Sequence, residues 1–516
     1  MKKVTILLLT LALVLGLLPI TASASAEVPY QTYTFDKWGN TTPSPNGYLP
    51  TRSIGGAQLG CGNFSNAMDL FYSQERGELY VVDSGNARII VLDQDLELKK
   101  ELYGFGETLF QNPQGIFVQP DGTMYVADMA AKQVAVGDKD GGLVKILPTP
   151  ESNLLPDNFN YLPTKVVVDS HGRVYILSQG IYQGLIYLDT DGSFIKFFGP
   201  NEVEMTFRRQ TLKVWKSILP DKAAATMQSF NPIEYGNIFM GEDEYIYATA
   251  AGSENGARLI TKLNPLGIDC LPFKMSGSES LFSDVTVDKG GVMTVLNTNG
   301  GTIRQMNESG SLMFAFGGIG DQVGLFQRAV SIVQMNDDLY VLDADKNTIT
   351  EFKLTDFGTL VRDAIALYDA GLYQESIEPW LEVIRHNSNY LLAYTGLGKA
   401  YYQLKDYDTA MYYFRLANDR SNYSLAFREA SLLKVRGSFG AIVLGTAGLI
   451  AAIFINLSLS LTRLSYGTKA NPSSVSPGFT TVTLPYSRLN ALKSPFSFIA
   501  FRINLRATST TALSHR

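Results

Sequence analysis

The chain has 516 residues and is mildly acidic, with 43 Lys and Arg against 49 Asp and Glu and a formal charge of −6. That length predicts two or three domains, and the bulk charge lacks the basic footprint of a nucleic-acid binder. Two cysteines, Cys61 and Cys270, and three histidines, His171, His386 and His515, are too few for a disulfide framework, a cysteine-rich zinc site or a histidine-rich metal centre.

The N-terminus carries Lys2-Lys3, an apolar run from Val4 to Ile20 and the small-residue stretch Thr21-Ala-Ser-Ala-Ser-Ala26. This reads as a signal peptide over residues 1–26, cut near Ala24 or Ala26. The alternative is a retained membrane anchor, and no cysteine at the cleavage region supports a lipoprotein. Export would permit a Cys61–Cys270 disulfide, although nothing in the sequence brings the two together. Residues 27–62 are rich in Pro, Gly and Thr and open with the alternating stretch Tyr30-Gln-Thr-Tyr-Thr-Phe-Asp36, which predicts one strand. Its expected partner is the last repeat of the array that follows, where it would close a ring and cover a sheet edge.

Between about 63 and 355 the chain repeats one phrase: Tyr80-Val-Val-Asp83, Tyr125-Val-Ala-Asp128, Tyr175-Ile-Leu-Ser178, Tyr247-Ala-Thr-Ala250, Thr294-Val-Leu-Asn297 and Tyr340-Val-Leu-Asp343. The intervals are 45, 50, 72, 47 and 46 residues. A period of that size means stacked units, none able to bury its apolar face alone. The fullest copy, Asn112 to Asp128, is a short apolar strand, a Pro120-Asp-Gly122 turn and a second strand ending in a carboxylate. A third strand follows, as in Ala87–Asp93 and Thr348–Leu354. Glycine-aromatic connections such as Tyr103-Gly-Phe-Gly106, Phe197-Phe-Gly199 and Phe314-Ala-Phe-Gly-Gly318 join the units. Roughly four strands per unit predict a mainly β fold, a six-bladed β-propeller over 63–355. The 72-residue interval holds an insertion from Pro200 to about Phe230. Within Met205–Leu219, Phe207, Leu212, Trp215 and Leu219 fall near helical spacing among Arg208, Arg209, Lys213 and Lys216. Such a basic amphipathic helix suits a membrane surface, a partner, or the outside of the propeller.

The repeats resemble the NHL family of propellers, whose Pro-x-Gly-Ile-x-Val-x-x-Asp-Gly-x-x-Tyr-Val-Ala-Asp pattern is matched closely at Pro113 to Asp128 and loosely in the third to fifth copies. The resemblance covers about 63–355 and implies a binding or scaffolding propeller. Neighbouring six-bladed folds include lactonases of the gluconolactonase type.

After Thr355 the texture becomes helical. Leu360–Trp380 aligns with Leu391–Phe414 at an offset of 34, pairing Tyr368 with Tyr402, Tyr373 with Tyr407, Ser376 with Ala410 and Trp380 with Phe414. That period resembles tetratricopeptide (TPR) repeats over 356–436, with Ser424–Val435 as a capping helix. Gly398 and Ala410 would let helices approach closely, and the unit is short enough to need the propeller or a membrane to lean on. Between Arg436 and Arg463 there is no charged residue, which predicts a transmembrane helix over 437–462. Asn456, Ser458 and Ser460 weaken its end. The tail 463–516 carries Arg463, Lys469, Arg488, Lys493, Arg502, Arg506 and Arg516 and no acid, as expected of a cytoplasmic end. Lys434 and Arg436 pull the other way. The tail reads either as disordered or as an altered reading frame truncating a longer membrane domain. The whole arrangement resembles exported NHL proteins of Gram-positive bacteria with several Yip1-type membrane helices, which tend to accompany sugar-uptake systems.

A lactonase would need carboxylate and amide oxygens converging on Ca²⁺ or Zn²⁺ in the central channel. Asp83, Asp128, Asn297 and Asp343 recur in equivalent places, but Ser178 and Ala250 break the series. A structural role, bonding each turn and pairing Asp83 with Arg88, fits this pattern better. No Ser-His-Asp order and no phosphate loop is present. No catalytic residue, metal ligand or cofactor is therefore assigned, and the binding residues stay unnamed. The expected protein is a single-pass, membrane-tethered propeller, outside the cell with its C-terminus inside. It would bind a glycan, a cell-wall component or a transport-system partner at the propeller face, with a protein partner possible at the helices. The alternative is a metal-dependent lactonase acting on sugar derivatives.

Overall fold

The computed structural model describes residues 28–155, 159–200, 233–252, 258–275 and 281–466. The signal peptide at 1–26, the amphipathic helix at 205–219 and the tail beyond Tyr466 lie outside the described residues. Six antiparallel sheets form the six blades of a β-propeller. Their innermost strands are Asp69–Ser73, Pro113–Val118, Pro163–Val168, Tyr235–Met240, Phe282–Val287 and Ala329–Met335. The repeated Tyr-Val-x-Asp phrase is the second strand of every blade, including the two copies that end in Ser178 and Ala250. Its alternating side chains enter the apolar layers between neighbouring blades, with Val81, Val126, Ile176, Ala248, Val295 and Val341 all buried. The glycine-aromatic connections add Phe105, Phe198 and Phe316 to the same layers.

Ring closure differs from expectation. The strand that completes the last blade is Tyr48–Gly55, paired antiparallel with Thr348–Leu354 from Gly55↔Thr348 to Tyr48↔Leu354. The strand near Tyr33, Tyr33–Phe35, instead forms a hairpin with Thr41–Pro43 and touches the fifth blade at Ala315. Pro50 hides the closing strand from pattern reading, because proline breaks β periodicity. It is tolerated here on an outermost strand, beside a register shift at Glu351/Phe352. Cys61 is buried and Cys270 exposed, and both are free thiols, so no bridge joins them.

Thr355 ends the last blade and starts the helices. Its hydroxyl donates to the Asn46 carbonyl at 2.6 Å and accepts from Gly358 N–H at 3.0 Å, capping α1 (Asp356–Asp369). Then come α2 (Tyr373–His386), α3 (Leu391–Gln403), α4 (Tyr407–Leu416) and α5 (Arg420–Tyr466). The first four stack in sequence; the apolar faces of α1 to α3 continue the core of the last two blades, and α4 packs with the start of α5 in a smaller cluster around Ala410, Phe414 and Ala426. Phe314, Phe316 and Phe352 share one cluster with Phe357, Val361, Trp380, Tyr390 and Leu397. Tyr390 donates to the Met313 carbonyl at 2.7 Å. The helices lean on the propeller. Gly398 is small for a reason: a Cβ there would sit 2.5 Å from the Phe414 ring.

The expected break between a capping helix at 424–435 and a span at 437–462 is absent, because α5 runs continuously. From Arg436 the chain forms a separate compact unit. Its helical part is exposed and apolar, with a mean hydropathy of 2.2 in its richest window, long and apolar enough to cross a membrane. The polar groups toward its end are internally satisfied, with Asn456 donating to the Ala452 carbonyl at 3.2 Å and Ser460 to the Leu457 carbonyl at 2.8 Å. They therefore weaken the span less than composition implies.

Gly398→Ala is expected to lower stability by about 1–3 kcal/mol, as overpacking against Phe414 requires. Chemical denaturation of the purified chain reads this, and an unchanged midpoint would refute the close approach.

Candidate functional site

The recurring carboxylates do not meet. Each turns back into its own blade and accepts N–H groups from the segment that enters it. Asp83 takes Ser65 N–H at 2.7 Å, Asp128 takes Gln111 and Asn112 at 2.6 and 2.9 Å, and Asp343 takes Gln327 and Arg328 at 2.6 and 3.2 Å. Asn297 and Ser178 accept in the same way from Leu281 and Leu162, at 3.1 and 3.0 Å. Arg88 closes on Asp83 at 2.8 Å. These residues fasten the blades and form no ring of ligands. His171 is an exposed turn residue whose N–H bonds Asp169 at 3.0 Å.

The polar cluster on the propeller axis is made by a different set of residues. In five blades the innermost strand carries a register shift at the same place, between Pro113/Gly115, Pro163/Lys165, Tyr235/Asn237, Phe282/Asp284 and Ala329/Ser331. A β-bulge re-aims the residue that follows it. Here Lys165, Asn237, Asp284 and Ser331 become the floor of an axial cavity, together with Asp69 of the first blade. The Lys165 ammonium ion-pairs with Asp69 from two blades away. It passes Gly115, where a Cβ would fall 2.7 Å from the lysine Cδ and 2.5 Å from the Thr164 carbonyl. Glycine is required there by space, not by φ. Asp284 accepts from Asn237 at 2.8 Å, from Ser331 at 2.7 Å and from Ile332 N–H at 2.8 Å. Asp69 accepts from Ile116 N–H at 3.1 Å and from Ser331 at 3.3 Å. One ammonium thus serves two fully buried carboxylates. Burial pushes the Asp284 carboxyl from 3.8 up to about 6, with Lys165 opposing and Asp69 adding to the rise. Burial also raises Asp69, against Lys165.

Above this floor the cavity widens to about 890 Å³. Two residues along each strand the same face recurs, so the next layer is Phe71, Phe117, Val167, Phe239, Thr286 and Val333, a mostly apolar collar. Phe71 and Phe117 meet edge to face with centroids 5.3 Å apart. The mouth is charged, and α1 forms part of its wall. Arg362 reaches from α1 to Asp288 at 2.7 Å and to the Tyr48 hydroxyl at 3.2 Å. Pattern reading missed all of this, because the floor residues differ in type from blade to blade. The one signal available was a small or polar residue two places after the Pro, Tyr, Phe or Ala that opens five of the six inner strands.

The floor does not fit a resident Ca²⁺ or Zn²⁺. Two carboxylates, one amide and one hydroxyl converge, but the Lys165 ammonium already supplies the cation, and a metal would have to displace it. Among the described residues no three His, Cys, Asp or Glu side chains group as a metal site.

No family model matches the chain, and no curated protein matches it. Among solved structures it is similar to a streptogramin B lyase, at 12% identity over 63% of this chain and 86% of that one, with a TM-score of 0.38. A virginiamycin B lyase from Staphylococcus aureus matches at 11% identity over 60% of this chain and 100% of that one, with a TM-score of 0.38. A gluconolactonase from Xanthomonas campestris matches at 12% identity over 63% and 97%, with a TM-score of 0.39. Likeness at this level carries no argument about chemistry.

Two outcomes are expected. Asp128→Ala strands the N–H groups of Gln111, Asn112 and Ala131, and should cost roughly 1–3 kcal/mol in a denaturation experiment. Native Asp284 keeps its proton at pH values where the unfolded chain has released it. Its contribution to stability is therefore lost as pH rises from about 4 to about 6. Asp284→Asn should remove that part of the slope from a stability–pH profile, whatever it does to absolute stability. A slope undiminished by the substitution would contradict the assignment, since only the part owed to Asp69 should remain.

Proposed function

We propose that this chain is a membrane-tethered extracytoplasmic binding module whose ligand site is the axial funnel. The observation that carries the reading is the combination at the axis. A preformed cavity stands over a floor whose polar groups are bonded to one another, with no activated nucleophile and with Lys165 filling the cation position. Such a site can hold and orient a ligand. We read the blades as NHL-type and the helices as TPR-like. The close packing of Trp380 and Phe414 on opposite sides of α3, at Gly396 and Gly398, supports a stacked helical unit of this kind.

The apolar stretch of α5 supports the tether. The acid-free tail supports a cytoplasmic C-terminus, and the apolar N-terminal segment supports export of the propeller. The ligand classes that fit this placement are a carbohydrate, a cell-wall component or a subunit of a transport system. The metal-dependent lactonase reading is weakened by the ammonium in the floor.

The full chain purified in detergent tests this directly. Incubated with gluconolactone and Ca²⁺ or Zn²⁺, it is expected to leave the uncatalysed opening rate unchanged, while a glycan array shows selective retention. Metal-dependent opening, accompanied by a metal-dependent rise in melting temperature, would overturn the binding reading in favour of a hydrolase.

A further inference from the structure

The funnel holds more negative charge than the fold neutralises. Eight carboxylates line it against three cations, Lys165, Lys289 and Arg362. All three cations are already committed: Lys165 to Asp69, Arg362 to Asp288 with Asp337 at 3.9 Å, and Lys289 to Glu242 at 3.4 Å. Glu75 and Asp363 have no ion-pair partner among the described residues, Asp284 has only a share of the Lys165 ammonium that contacts Asp69, and Asp369 feels Lys399 without a contact ion pair. They are spread from the floor to the mouth, so the excess runs the depth of the cavity. The whole 516-residue chain carries only −6, and much of that excess is focused into this one concave site.

The wall between floor and mouth is built for the same kind of guest. Phe71, Phe117 and Phe239 line one level of the cavity with Val167 and Val333, and Thr286 is the single polar side chain of that collar. A neutral sugar would find few hydrogen-bond partners there for its hydroxyls. An anion would meet uncompensated carboxylates above and below. A cation carried on a compact organic body gains from aromatic faces and from the potential focused by low-dielectric walls.

Resting on the reading that the funnel is the ligand site, we propose that it selects a small organic cation: an ammonium group on an apolar or sugar body, seated at the Phe71–Phe117–Phe239 collar with its charge toward Asp284, the carboxylate that has only a share of Lys165. The helical unit takes part, because α1 brings Asp363 and Asp369 to the mouth.

Calorimetric titration of the full chain in non-ionic detergent tests this with four probes: tetramethylammonium, protonated glucosamine, glucose and gluconate. The two cations are expected to bind, more weakly as salt rises, while glucose and gluconate give no isotherm. Phe239→Leu keeps an apolar wall but removes the aromatic face, and should weaken the cations roughly two- to thirty-fold. Asp369→Asn, close to isosteric and near the mouth, should weaken them and reduce the salt dependence while leaving the melting temperature in place. Glucose binding as tightly as glucosamine, with Phe239→Leu weakening both, would overturn the cation inference and leave the binding funnel standing. Silence from both cations, or cation binding indifferent to both substitutions, would also overturn it. Turnover of gluconolactone would instead remove the binding reading on which it rests.

Discussion

The contact on which the axial site depends is the ion pair between Lys165 and Asp69. It spans two blade boundaries, from the third blade across Gly115 of the second to the first. An ammonium and two carboxylates this deeply buried are costly to desolvate, and removing one partner of such a group typically costs about 3–5 kcal/mol. The cluster is tolerated because every floor side chain is engaged: Asn237 and Ser331 donate to Asp284, Ser331 also reaches Asp69, and backbone N–H groups fill the remaining acceptor sites. The β-bulges make this convergence possible. Without them, alternation along the inner strands would aim different side chains at the axis.

The same floor fixes what the cavity above it can do. With its hydrogen bonds directed inward, the floor is a charged base to the cavity. The collar supplies shape and aromatic surface, and the mouth supplies charge. α1 shares a core with the last two blades through Phe314, Phe357 and Tyr390, which fixes the wall it contributes to the propeller. Ring closure by Tyr48–Gly55 reinforces this corner. Tyr48 is fully buried beneath Phe316, stacked at 5.5 Å, and its hydroxyl contacts Gln305 and Arg362. The closing strand, the last blades and the helices thus meet around one tyrosine.

Much of the architecture was legible in sequence, because it is repetitive. The second strand of each blade packs in the same environment six times, so Tyr80, Tyr125, Tyr175, Tyr247 and Tyr340 announce themselves by interval alone. The carboxylate that ends the phrase was legible as a turn-fastening group for the same reason, and the Asp83–Arg88 pair bears this out. The closing strand was misplaced because Pro50 interrupts its pattern, whereas the clean alternation at Tyr30–Asp36 belongs to a small outer hairpin. The composition change at Arg436 coincides with the start of a second compact unit, while the α5 backbone runs through it unbroken.

Local periodicity, proline-glycine turns and the helical offset of 34 residues determined blade number, helix pairing and the apolar stretch of α5, since each is a property of neighbours in the chain. The axial site is not. Asp69, Lys165, Asn237, Asp284 and Ser331 are far apart in sequence, follow no common residue type, and become a cluster only when strands from separate blades, four of them bulged, point at one axis. Their charges, burial and shared hydrogen bonds arise from that convergence, so only the tertiary structure could decide where the site lies and what charge it presents.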